Sequence, residues 1–259
     1  MGTFEFDGEK YKSASKHQKE WGNDLISEIS FKGNEAVLDL GCGDGVLTEQ
    51  LALSVPQGNA LGIDASIHMI ETAEKLRRSN LKFMYMDINN LNFENEFDLL
   101  FSNAALHWVK DHKRLLKNAC KALKARGKIL WDFGGFGNCA TFNDIVQKKI
   151  SEAKYKEYFK DYEWPWFMPT KEQYTEFISA VGFSSYTIRE LNRDRYFSNA
   201  SDIIGWVDQP CLVPFIRYIP CGLKEAFRQE VIEEILKTTR QPDGSYFEIF
   251  RRIRVYAQK

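Results

Sequence analysis

Ala36-Val-Leu-Asp-Leu-Gly-Cys-Gly-Asp-Gly45 is the stretch on which the fold turns. Ala36 to Leu40 is a short, almost wholly apolar run, as in a strand buried on both faces. Three glycines follow within five residues, Gly41, Gly43 and Gly45, and Val46 to Leu53 then reads as a helix. Working outward, the unit repeats. Ala60 to Ile63 is a second strand that ends at Asp64, and Ser66 is placed to cap a helix carrying Ile67, Ile70, Ala73 and Leu76. Leu81 to Met86 is a third strand, ending at Asp87. Phe97 to Phe101 is a fourth, ending at Ser102-Asn103. A helix from about Lys113 to Leu123 and a strand from Lys128 to Phe133 complete the alternation. Upstream, Ser13 to Ile29 has helical spacing, with Trp21, Leu25, Ile26 and Ile29 on one side.

Alternating strands and helices predict a parallel sheet covered on both faces. Ligands of such sheets bind beyond the carboxyl ends of the strands. Asp39, the glycines, Asp64, Asp87 and Asn103 all stand at those ends.

The second half reads differently. Thr141 to Tyr158 is expected as one long helix, followed by the aromatic loop Trp164-Pro-Trp-Phe-Met-Pro169. Thr170 to Ala180 is a helix stopped at Gly182, Ser184 to Leu191 is strand-like, and Asn199 to Thr239 is helical with breaks at Pro210, Pro214 and Pro220. Ser245 to Ala257 is expected as a single terminal strand. Residues 1–133 are thus expected to form the ligand-binding core. Residues 134–259 would add the last two strands of the same sheet, and the insertions 134–170 and 195–240 a helical cover.

Bulk composition narrows the function. In 259 residues, 35 Lys and Arg balance 36 Asp and Glu, for a net charge of -1. That argues against a phosphate backbone as the main partner. Arg252 and Arg254 would share one strand face, which reads as an ordinary solvated strand. The 5 cysteines contain no Cys-x-x-Cys pair and no even framework, so reduced thiols in a cytoplasmic protein are expected. No apolar run approaches a membrane span, no leader is visible, and no His/Cys cluster has metal-site spacing. The expected partner is a small molecule, with neither nucleic acid nor membrane, and the chain would be a monomer or homodimer.

A glycine loop after a first strand suits two kinds of cofactor. A dinucleotide site wants Gly-x-Gly-x-x-Gly, but Val46 stands where the third glycine belongs. Asp39, two residues before the first glycine of the loop, would repel a pyrophosphate and attract a sulfonium amino acid. The loop therefore fits S-adenosylmethionine better than NAD.

Val37-Leu-Asp-Leu-Gly-Cys-Gly-Asp-Gly45 resembles the first motif of class I S-adenosylmethionine-dependent methyltransferases. Gly62-Ile-Asp-Ala-Ser66 with Met69 resembles the second, and Met86-Asp-Ile88 the third. Ser102-Asn-Ala-Ala-Leu-His-Trp108 is similar to the end of the fourth strand in the trans-aconitate methyltransferase group. Gly205-Trp206, Asp243-Gly244 and Arg252 to Tyr256 echo that group more weakly. The resemblance implies an α/β fold: a Rossmann-like parallel sheet with an antiparallel last strand, helices on both faces and a helical cover from insertions. It also implies residue roles. Gly41, Gly43 and Gly45, with Cys42 among them, would admit the cofactor's amino-acid part, and Asp39 would help hold it. Asp64 would accept from the ribose hydroxyls. Asp87 and the Ile88 backbone would meet the adenine, with Ala65 and Met69 packed on the ring. Asn103 and Ala104 would line the region of the methyl group, and Gln18 and Tyr11 would cover the cofactor from the N-terminal helix.

The reaction expected is methylation of a small carboxylic acid on oxygen. His107 is the best-placed base if the substrate needs one, and is equally well read as a structural histidine beside Trp108. Arg189, Arg195 and Arg217 are candidate carboxylate ligands together with Trp108, although Arg193-Asp194-Arg195 also reads as an exposed loop. Alternatives are a carbon or oxygen methyltransferase of a quinone-like or lipid-like precursor, favoured by the aromatic cover, and a non-catalytic adenosylmethionine sensor. A macromolecular methyltransferase is disfavoured by Ser102-Asn-Ala-Ala, which replaces the Asp/Asn-Pro-Pro-Tyr/Phe signature of many amino-group enzymes.

Overall fold

The computed structural model describes residues 16–76 and 78–259. The first half is the expected alternation: α1 (Lys16–Ser27), β1 (Ala36–Leu40), α2 (Val46–Ser54), β2 (Asn59–Asp64), α3 (Ile67–Ala73), β3 (Leu81–Tyr85), β4 (Phe97–Asn103), α4 (His112–Ala122) and β5 (Leu123–Gly134). The second half adds α5 (Ala140–Ser151), α6 (Lys171–Ser179), β6 (Ser185–Asn192), β7 (Arg195–Phe197), α7 (Ala200–Trp206), α8 (Val213–Ile216), α9 (Cys221–Thr239), β8 (Tyr246–Glu248) and β9 (Arg251–Gln258).

Seven strands form one sheet in the order β3-β2-β1-β4-β5-β9-β6. β9 runs antiparallel to both of its neighbours, and the other pairings in the sheet are parallel. β1 is buried along its whole length, and successive side chains feed opposite layers. Leu38 and Leu40 join the layer under α4 and α6, with Leu115, Leu116, Tyr174 and Ile178. Val37 joins the opposite layer, with Leu25 of α1 and Leu51 and Ala52 of α2. Continuous apolar strands follow from this two-sided burial.

A third core holds the cover together. Trp21 of α1 meets Phe250 edge-on at 5.3 Å, Phe250 meets Trp206 at 5.4 Å, and Trp206 meets Phe142 of α5 at 6.0 Å. Offset and edge-on aromatic pairs of this kind are each favourable beyond their buried area. The N-terminal helix and the cover therefore share one aromatic core above the sheet.

Local chemistry sets the element ends. Ser66 accepts from the Met69 amide to cap α3, and Thr170 and Gln173 form a reciprocal capping box on α6. The α7–α9 region breaks close to its prolines: Pro214 opens α8, and Pro220 is the N-cap of α9.

Two long elements expected from the sequence are divided. The helix from Thr141 stops at Ser151, and Lys156–Phe159 is a separate short 3-10 turn. The break lets the Tyr155 ring meet Phe227 at 5.0 Å while its hydroxyl donates to Glu230. The terminal strand is also split. β8 pairs with β7 in a small separate sheet, and β9 begins only at Arg251. The interruption follows Glu248, whose buried carboxylate accepts from the Thr141 and Phe142 amides at the start of α5. Among the described residues no helix is long and apolar enough to cross a membrane.

Candidate active site

A cavity of about 750 Å³ opens beyond the carboxyl ends of the parallel strands and runs under the cover. Its near end is the glycine loop. The Gly41 and Cys42 amides both donate to the Ile63 carbonyl, folding the loop over β2. Gly41 has φ +77, and a Cβ there would stand 2.2 Å from the Ala105 Cβ. Gly43 has φ +54 and nothing within 4 Å of the position of its missing side chain. The loop thus presents bare backbone, in a conformation suited to glycine, at the start of the cavity.

Asp64 stands at the end of β2 with its carboxylate oriented by two amides, Gly43 to Oδ2 at 2.9 Å and Ser66 to Oδ1 at 2.9 Å. Ala65, Met69, Asp87 and Ile88 continue the wall. Asp87 turns Oδ1 back onto the Asn89 amide at 2.8 Å, bracing the turn that follows β3. At the end of β4, Asn103 donates to the Gln18 carbonyl at 2.8 Å, which ties the cavity wall to α1. Ala104 sits next to it with φ 59, unusual for a residue with a side chain. Cys139, at the start of α5, has φ 53 and also lines the cavity. Backbone strain is thus held at the walls of the site, as in many functional sites.

These features fit an adenosylmethionine-sized ligand: an open backbone cradle, a carboxylate with two acceptor oxygens for neighbouring hydroxyls, and an apolar shelf at Met69 and Ile88. Three residues expected at the ligand lie behind it instead. Asp39, Cys42 and Gly45 are not on the cavity wall. Asp39 is 2% exposed and accepts from the Thr48 hydroxyl at 2.7 Å. Burial pushes its carboxyl up to about 7; the Thr48 bond opposes this and the nearby Asp64 charge adds to it. Cys42 is buried, and its thiol is held well above the usual range by the same desolvation, which fits packing rather than reactivity. Gly45 serves as the N-cap of α2. Tyr11 lies outside the described residues.

Farther in, the cavity is walled by Trp21, Trp108, Phe142, Trp166 and Trp206. The aromatic loop is tied down through its backbone. The Phe167 amide donates to the His107 carbonyl at 2.8 Å, and the Lys110 ammonium donates to the Trp164 and Trp166 carbonyls. Burial of the Lys110 ammonium lowers its pKa.

His107 lines this inner part. Burial foremost, and then the positive charge of Arg252, lower its pKa to about 3, so the ring is neutral at physiological pH. Its Nδ1 is sealed from solvent without a hydrogen-bond partner, and the same holds for Trp166 Nε1. His112 is different: one ring nitrogen meets the Leu106 carbonyl at 3.0 Å and the other the Tyr174 hydroxyl at 3.2 Å, a satisfied structural histidine.

The arginines divide. Arg217 lines the cavity, as Trp108 does. Arg189 points outward from the edge strand β6 and does not reach it. Arg195 pairs with Glu20 and lies over the Trp21 ring at 5.3 Å, outside the cavity wall. The two arginines read from sequence as a solvated strand face are instead buried, Arg252 at 4% and Arg254 at 5% exposure. Both pair with Asp132 of the adjacent strand β5, and Arg252 lines the cavity. Asp132 in the apolar run Ile129-Leu-Trp-Asp-Phe133 was the available signal: an acid in a central strand requires a cation. Trp166 carried no such signal. Among the described residues no three His, Cys, Asp or Glu side chains converge as a metal site.

The chain is similar to known proteins in sequence and in fold. The chain is 29% identical over 265 residues to an uncharacterized methyltransferase of Schizosaccharomyces pombe, covering 97% of this chain and 99% of that one. A trans-aconitate 2-methyltransferase of Deinococcus radiodurans is 43% identical over 106 residues, which is 41% of this chain and 40% of its own. The solved structure of the YcgJ protein of Bacillus subtilis shares the fold at 17% identity, with a TM-score of 0.62 over 94% of this chain and 98% of that one. The family described as a methyltransferase domain matches residues 31–177, more than half of the sequence. With a glycine cradle, an oriented acid at the end of β2 and a mainly parallel seven-stranded sheet, the chain belongs to the methyltransferase domain family, as a class I S-adenosylmethionine-dependent methyltransferase.

Proposed function

We propose that the enzyme methylates a carboxylate oxygen of a small organic acid. The observation that carries this reading is the burial of His107, whose Nδ1 is sealed from solvent without a hydrogen-bond partner, so that desolvation and the Arg252 charge hold the ring neutral. An imidazole whose conjugate acid titrates at about 3 is a poor proton acceptor at neutral pH. A phenol or carbon acid would therefore find no base there, whereas a carboxylic acid arrives already ionised. His107 accordingly acts as a neutral hydrogen-bonding group rather than as the general base. The similarity to a trans-aconitate methyltransferase points the same way.

When bound, adenosylmethionine supplies an electrophilic methyl group whose bond to sulfur breaks with the electron pair on sulfur, so attack by a carboxylate oxygen needs no proton transfer. The chain's own residues supply position and dryness. Gly41 and Gly43 would give close backbone approach, Asp64 would receive the ribose hydroxyls, and Asp87, Ile88, Ala65 and Met69 would frame the adenine. Asn103 and Ala104 would face the transferring group, and Gln18 would cover it from α1. The test is methyl transfer from labelled adenosylmethionine to a panel of acids, phenols and quinone precursors. The expected product loses its label as methanol in mild alkali, as an ester does. At saturating cofactor, kcat/KM should rise with ionisation of the substrate carboxyl and stay flat above about pH 6. A product stable to alkali, or a rate that climbs through pH 7 to 9, would sink the reading.

A further inference from the structure

The floor of the cavity carries an under-compensated buried cation. Arg252 donates through Nε to Asp132 Oδ1 at 2.6 Å, and through Nη2 to the Asp132 carbonyl at 2.9 Å and to Asn103 Oδ1 at 3.5 Å. Its guanidinium lies 4.8 Å from the centre of the Trp21 ring. Asp132 is shared: Oδ2 accepts from Arg254 Nε at 2.9 Å and Nη2 at 2.7 Å. Two buried guanidiniums thus rest on one buried carboxylate. The second carboxylate, Glu28, sits at the surface, with 41% side-chain exposure, and pairs with Arg254. Arg252 receives only a share of one anion, and a buried charge without full compensation is costly. His107 and Trp166 line the same cavity, and each holds a nitrogen without a partner, His107 Nδ1 and Trp166 Nε1, that is sealed beneath the wall and meets an acceptor only once the ring turns toward the cavity. Indole nitrogen can only donate, and a neutral imidazole nitrogen donates in one of its two tautomers.

We propose that Arg252, His107 and Trp166 form the seat of the reacting carboxylate, and that the acid it takes is an apolar monocarboxylate. The inference rests on the carboxyl-methylation reading above. A carboxylate supplies the missing negative charge and acceptor oxygens for the unused donors; an amide or alcohol supplies no charge. The rest of the acid must then lie against Trp21, Trp108, Phe142 and Trp206, a surface for an alkyl or aryl skeleton rather than for further carboxylates. Toward the mouth, Arg217 is accompanied by Asp161 and Glu163, which oppose a polyanion.

The test compares decanoate and 3-phenylpropionate with their primary amides and with trans-aconitate, in wild type, Arg252→Gln, Arg252→Lys, His107→Asn and Trp166→Phe. The monoacids should be methylated with kcat/KM at least tenfold above that for trans-aconitate, and the amides should neither react nor compete. Arg252→Gln should lose about 100-fold in kcat/KM, mainly through KM, and Arg252→Lys should recover about tenfold of it. Trp166→Phe and His107→Asn should each raise KM by about tenfold. Adenosylmethionine affinity, measured separately, should change less than threefold in all four variants. Equal loss of cofactor affinity in Arg252→Gln would make Arg252 a structural residue and overturn the proposal. So would unchanged KM in the variants, or faster turnover of trans-aconitate than of the monoacids. Acids inert throughout while a phenol or quinone precursor reacts would instead remove the carboxyl-methylation reading itself.

Discussion

Asp39 is the residue whose replacement tests the electrostatics of the site most sharply. Its carboxyl is raised from 3.8 to about 7 in the folded chain, so ionising it there costs on the order of 4 kcal/mol relative to water. Below pH 3.8 both folded and unfolded chains hold the proton, and there is no penalty. Between pH 4 and 7 the unfolded chain ionises while the folded one does not, so folded-state stability falls as pH rises. Above about pH 7 the penalty is complete. Asp39→Asn removes this dependence and keeps an oxygen for the Thr48 hydroxyl. Following the wild type alone would mislead, because His107 and His112 slope the other way. Their pKa values are lowered to about 3 and about 4, so their contribution is present above pH 6.5 and is lost as pH falls. The difference between variant and wild type cancels the histidines and any constant cost of burying an amide. In urea denaturation of the ligand-free proteins, that difference should move by up to about 4 kcal/mol in favour of Asp39→Asn between pH 4 and pH 8. That corresponds to a melting-temperature change on the order of 7 °C. If the carboxylate also balances the cofactor's cationic end, adenosylmethionine binding at pH 6.5 should release a fraction of a proton, seen in calorimetry as a dependence on buffer. A pH-independent stability difference, with no proton released on binding, would refute both the raised carboxyl and its role.

Three further outcomes follow from the geometry. Asp132→Asn should destabilise by about 3 to 5 kcal/mol by denaturant titration, because two buried guanidiniums lose their shared anion, while Glu28→Gln at the surface should cost less than about 1 kcal/mol. Asp64→Asn keeps one acceptor oxygen where two are used and should weaken adenosylmethionine binding by about tenfold to 100-fold in calorimetry, with the far-ultraviolet spectrum unchanged. Gly41→Ala forces a Cβ to 2.2 Å from Ala105 in a left-handed conformation and should cost at least about 2 kcal/mol. Adding Ala105→Gly should restore part of that stability, and failure to restore any would remove the clash as the cause.

The alternation of apolar strands with helices, and the acids at strand ends, made the sheet and the near end of the cavity legible in the sequence. Those features are local: a glycine run, an Asp closing a strand, a Ser before a helix. What escaped depends on pairs distant along the chain. Arg252 and Arg254 read as solvent-facing by strand period, and only the register of β9 against β5 turns them onto Asp132. Arg189 and Arg195 suited a carboxylate chemically, but the edge position of β6 and the Glu20 partner take them away from the cavity. Asp39 belongs to the expected motif, yet the pleat of β1 places its carboxylate behind the loop. The break after Glu248 was invisible because its cause is a helix start more than a hundred residues upstream.

The position of β9 between β5 and β6 also bears on how the chain assembles. β6 has no neighbour in the sheet other than β9, yet residues 193–250, the last part of the cover and the small sheet, are synthesised between them. Until β9 arrives, the edges of β5 and β6 are open to wrong pairing, including with each other. The long sequence separation of the correct pairing makes it intrinsically slow. Because β9 also carries Arg252 to the cavity floor, the last strand to dock completes the sheet and the substrate pocket together. Partly folded chains would thus hold the cofactor cradle before they can recognise an acid.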